Sequence, residues 1–178
     1  MDANLAWGAR VDQYFRRKIY GIRRRFDWSD EHASWLMACM AFESAETFSP
    51  SIMNAAGSGA VGLIQFMPKT AEGLGTSTEA LAQMSVVQQL EYVAKYFQPY
   101  ASRISTLPNM YMAILMPCFI GRPASAVLFK QGSTAYQQNR GLDIDKDGVI
   151  TKAEATTLVW RKLEKGLQDG YVWKIRRR

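Results

Sequence analysis

Residues 35–42 read WLMACMAF and carry no charged side chain, and the acidic residue Glu43 follows them directly. On a helix, residues three and four apart are neighbours, so Cys39, Met40 and Glu43 would share one face. A carboxylate that ends such an apolar stripe loses hydration, and the helix C-terminus adds partial negative charge. Both effects raise the pKa of a carboxyl group, and a raised pKa suits a general acid near neutral pH.

Helical patterns extend along most of the chain. Residues 4–26 can form an amphipathic basic helix, and Ser29 or Asp30 can cap the helix that ends near Glu43. Further helices are predicted over residues 68–74, 86–100, 111–120, 124–130 and 152–167. The stretch NAAGSGAVG, residues 54–62, is too rich in glycine for a stable helix and is predicted to be a loop or short strand. A chain of 178 residues with these patterns predicts one mainly α domain.

A series of short motifs follows the apolar helix. Glu43-Ser44 is followed by Phe48-x-Pro50, and then by GLIQFMPKTA over residues 62–71. In this order the motifs resemble the soluble lytic transglycosylase (SLT) branch of the lysozyme-like superfamily. The resemblance implies a single lysozyme-like, SLT-type helical domain.

In that family the glutamate of the ES motif is catalytic, which implies the same role for Glu43 here. Ser44 would steady the acetamido region of the substrate, and Gln65 and Met67 would line the sugar groove. The implied reaction cleaves the β-1,4 bond between MurNAc and GlcNAc in peptidoglycan. The glutamate protonates the glycosidic oxygen and then takes the C6 hydroxyl proton, which gives 1,6-anhydro-MurNAc without water. No second carboxylate of the usual glycosidase pair is evident near the motif, and this suits such a mechanism.

Other functions stay open at this point. A hydrolytic muramidase of the same fold would cleave the same bond with water. A non-catalytic wall-binding protein, or a calcium-binding protein, would have no use for the acid chemistry of Glu43.

The chain departs from the family on a later helix, where an A-Y-N-A-G motif commonly supplies a tyrosine that positions the glutamate. The corresponding region, residues 110–123, reads MYMAILMPCFIGRP and contains no adjacent Y-N pair. Tyr111 or Tyr136 could supply the hydroxyl. Tyr136, with Asn139 three positions later, is the favoured substitute and a predicted substrate-binding residue.

Residues 143–154, DIDKDGVITKAE, fit the twelve-position EF-hand calcium loop, with Gly148 at the sharp turn. The predicted metal ligands are Asp143, Asp145, Asp147, the carbonyl of Val149, Thr151 directly or through a water, and Glu154. Only one such loop is present, and the usual partner hand is missing. A structural calcium ion is predicted, because four clustered acids would repel one another without a cation. A calcium sensor, or a turn that holds only water or sodium, is the alternative. The calcium ion would fix the segment from Tyr136 to Asn139 against the groove. No organic cofactor is expected.

The net charge is +6 and the sequence pI is near 9.4. Much of the positive charge forms two clusters, Arg16, Arg17, Lys18, Arg23, Arg24 and Arg25 in one and Lys174, Arg176, Arg177 and Arg178 in the other. Such charge favours polyanions, which include anionic cell-wall and membrane surfaces. No pattern of sequence-specific nucleic-acid binding is present. The expected partners are therefore peptidoglycan glycan strands and an anionic surface, and nothing requires more than a monomer.

The first residues, MDANLAWGAR, lack the pattern of a secretory signal, and no apolar run approaches membrane-spanning length. Cys39 and Cys118 lie in apolar sequence and are predicted to be buried free thiols, as in a protein made in a reducing compartment. These features predict a protein made in the cytoplasm that acts at the bacterial wall, as a phage lysin or virion-associated enzyme.

The predicted organisation has four parts. Residues 1–28 form the basic helix, residues 29–135 the catalytic core, residues 136–167 the EF-hand-like loop with its closing helix, and residues 168–178 a basic tail.

Overall fold

Helices dominate the computed structural model, which describes residues 3–175, and this confirms the predicted fold class. The described helices are α1 Gln13–Arg25, α2 Asp30–Glu43, α3 Pro68–Gly73, α4 Thr78–Gln83, α5 Val86–Phe97, α6 Leu107–Leu115, α7 Thr134–Asn139 and α8 Lys152–Gly166. The described strands are β1 Ala3–Leu5, β2 Val127–Lys130, β3 Val149–Thr151 and β4 Trp173–Ile175. They form two antiparallel pairs, β1 with β4 and β2 with β3.

Helix α2 lies at the centre of the fold. It packs against α1, α6, α8 and β1, and residues 36–41 are all buried. Ser29 and the His32 ring cap its first turn, and the helix ends at Glu43, as the sequence predicted. The apolar run fills the core. Glu43, at the end of the helix, is the first residue after this run with an acidic or basic side chain.

The N-terminal segment differs from the predicted long helix. Asp12 caps α1, so the helix begins at Gln13 rather than near residue 4. Before it, the buried Trp7 adopts a left-handed backbone (φ 62°), and its indole nitrogen donates to the carbonyl of Lys162 at 2.8 Å. Pairing of β1 with β4 and burial of Trp7 therefore prevail over the helical pattern.

The predicted basic tail is partly a strand. Trp173 in β4 pairs with Leu5 in β1, so this part of the tail belongs to the folded domain. Arg176, Arg177 and Arg178 lie outside the described residues.

The helix predicted over residues 124–130 is wrong. The chain forms β2 there, since Leu128 and Phe129 are buried and the strand pairs with β3, with Phe129 opposite Ile150. A long-range partner thus decides the conformation of a short apolar segment that local pattern left open.

Helix α6 begins four residues earlier than predicted and ends at Leu115, just before Pro117. The buried ammonium of Lys152, at the start of α8, donates to the Asn109 side chain and to the carbonyls of Phe119 and Arg122. Burial lowers the pKa of Lys152. These contacts fix the start of α8 against the first turn of α6 and the segment that follows α6.

The two cysteines differ. Cys39 is buried as predicted, but Cys118 is exposed, because it lies in the 3₁₀ turn Pro117–Phe119 that follows α6. Among residues 3–175, no helix combines the length and apolar character needed to cross a membrane.

Candidate active site

Glu43 faces a cavity of about 300 Å³ at the C-terminal end of α2. Its walls come from α2, α6, α8 and the segment that precedes the predicted calcium loop. The lining residues are Phe42, Glu43, Tyr111, Leu115, Gln138, Asn139, Gly141, Leu142 and Leu158. Apart from Glu43, none of them is acidic or basic, so the carboxyl group has no charged partner in this cavity.

The surroundings of Glu43 raise its pKa to about 8. Burial is the main cause, and a side-chain hydrogen bond from Tyr111 lowers the pKa by a smaller amount. The side chain keeps partial solvent exposure on its cavity side. A carboxyl group in this state is mostly protonated at pH 7 and can donate its proton to a bound molecule.

The tyrosine that contacts Glu43 is Tyr111, not the favoured Tyr136. Tyr111 is buried on α6, packs edge-on against Phe42 and forms the side-chain hydrogen bond to Glu43. Tyr136 instead donates its hydroxyl to Asp143 at 2.5 Å. The position of Tyr111 in the MYMAIL run was the available signal, but its missing asparagine neighbour made the match weak.

Sequence reasoning did not identify Tyr96 on α5. Its hydroxyl donates to the carbonyl of Ala113 at 2.5 Å, and burial raises its pKa, with smaller contributions from Tyr100 and from the charge of Glu43. Tyr96 therefore lies within electrostatic reach of the carboxyl group. The four-residue spacing of Tyr92, Tyr96 and Tyr100 was a possible signal.

Ser44 shapes the chain after the helix. It is fully buried, donates to the carbonyl of Met40 at 2.6 Å and accepts from the backbone N–H of Phe48 at 3.0 Å. These bonds hold a turn in which Ala45, Glu46 and Phe48 adopt positive φ angles of 50°, 66° and 50°. In this arrangement Ser44 faces the interior of the turn and does not reach the cavity surface.

Gln65 and Met67 line a smaller cavity with Tyr96 and Ile114. The Gln65 amide nitrogen donates to the carbonyls of Ile52 and Gly62, at 3.2 and 3.1 Å, and the Met67 side chain is 46% exposed. This cavity lies beside α6, which also contributes Tyr111 and Leu115 to the Glu43 cavity. Helix α6 therefore contributes residues to both cavities, Ile114 to the smaller one and Tyr111 and Leu115 to the cavity of Glu43.

Gln89, a residue that the sequence did not single out, holds the glycine-rich loop. Its buried amide donates to the carbonyls of Pro50 and Leu81 and accepts from the N–H of Leu63. Gly62 has φ +83°, and a Cβ there would come within 2.3 Å of the Gln89 side chain. Glycine is thus required at this position by backbone angle and by space.

The three aspartates of the predicted metal loop meet in space. Asp143, Asp145 and Asp147 place one carboxylate oxygen each within 4.8 Å of the others. Oxygens that share one calcium ion at about 2.4 Å can be no more than about 5 Å apart, so this spacing fits such an ion. Gly148 supplies the positive φ, +87°, that the turn needs.

The other predicted ligands close the same loop. Glu154 accepts from the backbone N–H groups of Ile144 and Thr151, which brings its carboxylate back to the start of the loop. Val149 and Thr151 belong to β3, and β3 pairs with β2 where a second EF-hand would usually supply the partner strand. The residues present could therefore hold a metal ion.

Four of the six cations in the N-terminal cluster already have protein contacts. Lys18 and Arg25 pair with Glu91, Arg23 pairs with Asp30, and Arg16 donates to backbone carbonyls. Much of this charge therefore stabilises the fold.

The chain is thus a helical domain with one carboxyl group of raised pKa at the end of its central apolar helix. Residues 28–115, slightly less than half of the chain, match the family described as the transglycosylase SLT domain. The matched segment contains Glu43, the Gln65 loop and Tyr111, and it supports membership of the lysozyme-like superfamily. At the level of the family, it implies a lytic-transglycosylase-like function on cell-wall peptidoglycan. No curated protein and no solved structure matches the chain.

Proposed function

We propose that this protein is a lytic transglycosylase that cleaves the β-1,4 bond between MurNAc and GlcNAc, with Glu43 as its single catalytic carboxyl group. The observation that carries the proposal is the pKa of Glu43, raised to about 8 in a cavity without another acid or base. A protonated carboxyl group can act first as an acid, and its conjugate base can then remove a proton.

The proposed reaction balances without water. Glu43 gives its proton to the glycosidic oxygen as the C1–O bond breaks, and the N-acetyl group of MurNAc stabilises the positive charge at C1. The C6 oxygen then bonds to C1 while its proton returns to Glu43. The products are a new chain end and a 1,6-anhydro-MurNAc end, and the enzyme is restored to its protonated state.

Glu46 is poorly suited to be the second carboxylate that a hydrolase would need. Burial raises its pKa, but hydrogen bonds and charges of Lys162 and Lys165 lower it by more. It remains bound to the two lysines and belongs to a different cavity. This favours transglycosylation over the muramidase reaction, in which water would replace the C6 hydroxyl.

Tyr111 would position the carboxyl group, and Gln65 and Met67 would contact sugar units on one side of the scissile bond. Ser44 would act through the turn that it holds. Tyr136 would act indirectly, through its bond to Asp143 at the edge of the same cavity wall.

A calcium ion held by residues 143–154 would stabilise one wall of the Glu43 cavity. Gln138, Asn139, Gly141 and Leu142 line the Glu43 cavity and lie directly before Asp143. Bound calcium would supply a positive charge that joins the clustered aspartates and fixes these residues. The role that we propose for it is structural.

Delivery is part of the proposal. A protein made in the cytoplasm, as a phage lysin or virion-associated enzyme, would reach the wall with its remaining surface cations directed to anionic polymers. Arg17 and Arg24 are the exposed members of the N-terminal cluster without a protein ion pair among residues 3–175.

The test compares the wild-type protein with Glu43→Gln on purified peptidoglycan. We expect soluble fragments ending in 1,6-anhydro-MurNAc from the wild type and none above background from the variant, with sedimentation on the insoluble wall unchanged. Wild-type binding without cleavage would instead favour a wall-binding protein. Reducing ends in place of anhydro ends would favour a muramidase.

A further inference from the structure

A second cavity, of about 370 Å³, lies next to the cavity of Glu43. Its lining residues are Phe42, Glu46, Leu158, Arg161, Lys162 and Lys165. Phe42 and Leu158 line both cavities, so a molecule bound at Glu43 borders directly on this second space. Helix α8 supplies most of its surface and lies outside the segment that matches the SLT family.

The second cavity is positively charged. It contains three basic residues and one acid, and Glu46 pairs with Lys162 and Lys165. Arg161 forms no ion pair with any residue between positions 3 and 175 and is exposed. An unpaired guanidinium group at the edge of a cavity is a strong donor for a planar anion such as a carboxylate.

Two of the three cations of this cavity, Lys162 and Lys165, are held in place before any ligand binds. The Lys165 ammonium lies 5.5 Å from the Trp7 ring centroid and 5.3 Å from that of Tyr171, in addition to its bond with Glu46. Glu46 itself takes a positive φ of 66°, which its backbone bond to Ala41 at 2.7 Å maintains. Strained non-glycine backbone is often kept at ligand-binding sites.

The spacing on α8 directs one face of the helix to both cavities. Leu158, Lys162 and Lys165 are four and three residues apart and therefore lie in one row, with Arg161 beside them. The row begins at the Glu43 cavity and continues into the charged one. A substrate that spans both would meet apolar side chains first and cations next.

We propose that the second cavity binds a carboxylate of the peptide stem that peptidoglycan carries on its MurNAc residues, with Arg161 as the principal contact. The inference rests on the proposed function. The glycan backbone is uncharged, so the sugars themselves give no reason for three cations beside the cleavage site. The stem begins on a sugar of the scissile bond and bears free carboxylates, which match the charge and the location.

The experiment uses peptidoglycan freed of phosphate polymers, in two forms: intact, and with the free carboxylates of its stems converted chemically to amides. Arg161→Gln should raise KM for intact strands by about tenfold, the value of one charge-assisted hydrogen-bond contact, and leave KM for amidated strands unchanged. Arg161→Lys should recover part of the loss. Lys95→Gln removes one exposed positive charge from α5 and serves as the matched control. It should not change KM for one form of peptidoglycan more than for the other.

Equal effects of Arg161→Gln on both forms, or no effect on either, would overturn the proposal. A preference that appears only when phosphate polymers are left on the wall would assign the cavity to phosphate and overturn it as well. If the wild type cleaves neither form, the proposed function fails, and co-sedimentation with the two forms still decides the inference. The wild type should then bind intact wall more tightly than amidated wall, and Arg161→Gln should lose that difference.

Discussion

The cavities of Glu43 and Glu46 share two wall residues but give their carboxyl groups opposite properties. At Glu43, burial raises the pKa to about 8, and the only polar contact described for its carboxyl is a hydroxyl from α6. At Glu46, burial also raises the pKa, but two lysines of α8 lower it to below its ordinary value. The two residues are three positions apart, at the end of α2 and in the turn that follows.

The difference shows that the neighbouring helix, rather than the residue type, decides what each carboxyl group can do. Glu43 can gain and lose a proton near neutral pH, as acid–base catalysis requires. Glu46 stays ionised and holds Lys162 and Lys165 in position. The turn fixed by Ser44 separates the two environments, because its positive φ angles direct Glu46 away from the axis of α2.

Substitution of the two glutamates should change the rate of peptidoglycan cleavage by very different amounts, and this difference is the largest that we expect. Glu43→Gln should reduce peptidoglycan cleavage by about 10³-fold or more, since general acid–base catalysis contributes about 10²–10⁴-fold. Glu46→Gln should retain a rate within about tenfold of the wild type, because an electrostatic partner rather than the reacting group is lost. Release of soluble fragments measures both. Comparable losses of cleavage rate in the two variants would contradict the different roles proposed for Glu43 and Glu46.

The pH dependence sharpens the assignment. Glu43 must be protonated to act, so kcat/KM should fall as the pH rises through about 8, by tenfold per pH unit beyond it. Tyr111→Phe removes a hydrogen bond that lowers the pKa of Glu43, and the falling limb should therefore move to higher pH. A limb that stays in place in Tyr111→Phe would show that another group controls it. Tyr14→Phe, at an exposed position on α1, is the matched control.

Calcium should act on the wall of the Glu43 cavity. Binding to the native state at 100 times the Kd would stabilise the protein by about 2.7 kcal/mol, which thermal unfolding with calcium and with chelator can measure. Asp145→Asn combined with Asp147→Asn should abolish the response. Asp169→Asn, an exposed acid outside the loop, should keep it. An equal stabilisation of the double variant by calcium would show that the ion binds somewhere other than this loop.

The smallest expected effects are on stability, and they have opposite signs. The folded-state pKa of Glu43 is raised, so its carboxyl group destabilises the fold progressively as the pH rises from about 4 to about 8. Glu43→Gln should therefore raise the free energy of unfolding at pH 8 by about 1–2 kcal/mol, and by much less at pH 5.

Glu46 has a lowered folded-state pKa, so its contribution is present at neutral pH and is lost as the pH falls through that value. Glu46→Gln should lower the free energy of unfolding by about 1 kcal/mol at neutral pH, since the ion pairs are partly exposed. Denaturant unfolding at pH 5 and pH 8 tests both variants. Changes of the same sign would contradict the proposed environments.

Local sequence patterns were sufficient to predict α2, its end at Glu43 and the loop that brings the three aspartates together. Each of these depends on residues close in sequence, such as the apolar run or the alternating aspartates. Local patterns were insufficient where a residue distant in sequence determines the conformation or the contacts of a segment. The pairing of Lys162 with Glu46 joins residues 116 positions apart, and β2 is a strand because β3 lies beside it.

The sequence favoured Tyr136 over Tyr111 for a related reason. Its hydrogen bond to Glu43 depends on how α6 packs across α2, and the sequence near it lacks the asparagine that would have marked it. Trp7 shows the same limit at the N-terminus, where its contact with the Lys162 carbonyl replaces a turn of predicted helix.

The most direct test of the central claim, that Glu43 works alone and without water, is digestion of peptidoglycan in ¹⁸O-labelled water with mass analysis of the fragments. Catalysis by Glu43 without water predicts fragments that end in 1,6-anhydro-MurNAc and carry no ¹⁸O, all of which disappear in Glu43→Gln. Fragments with reducing ends that contain one ¹⁸O atom would contradict it, because they would show that water, activated by another group, attacks C1.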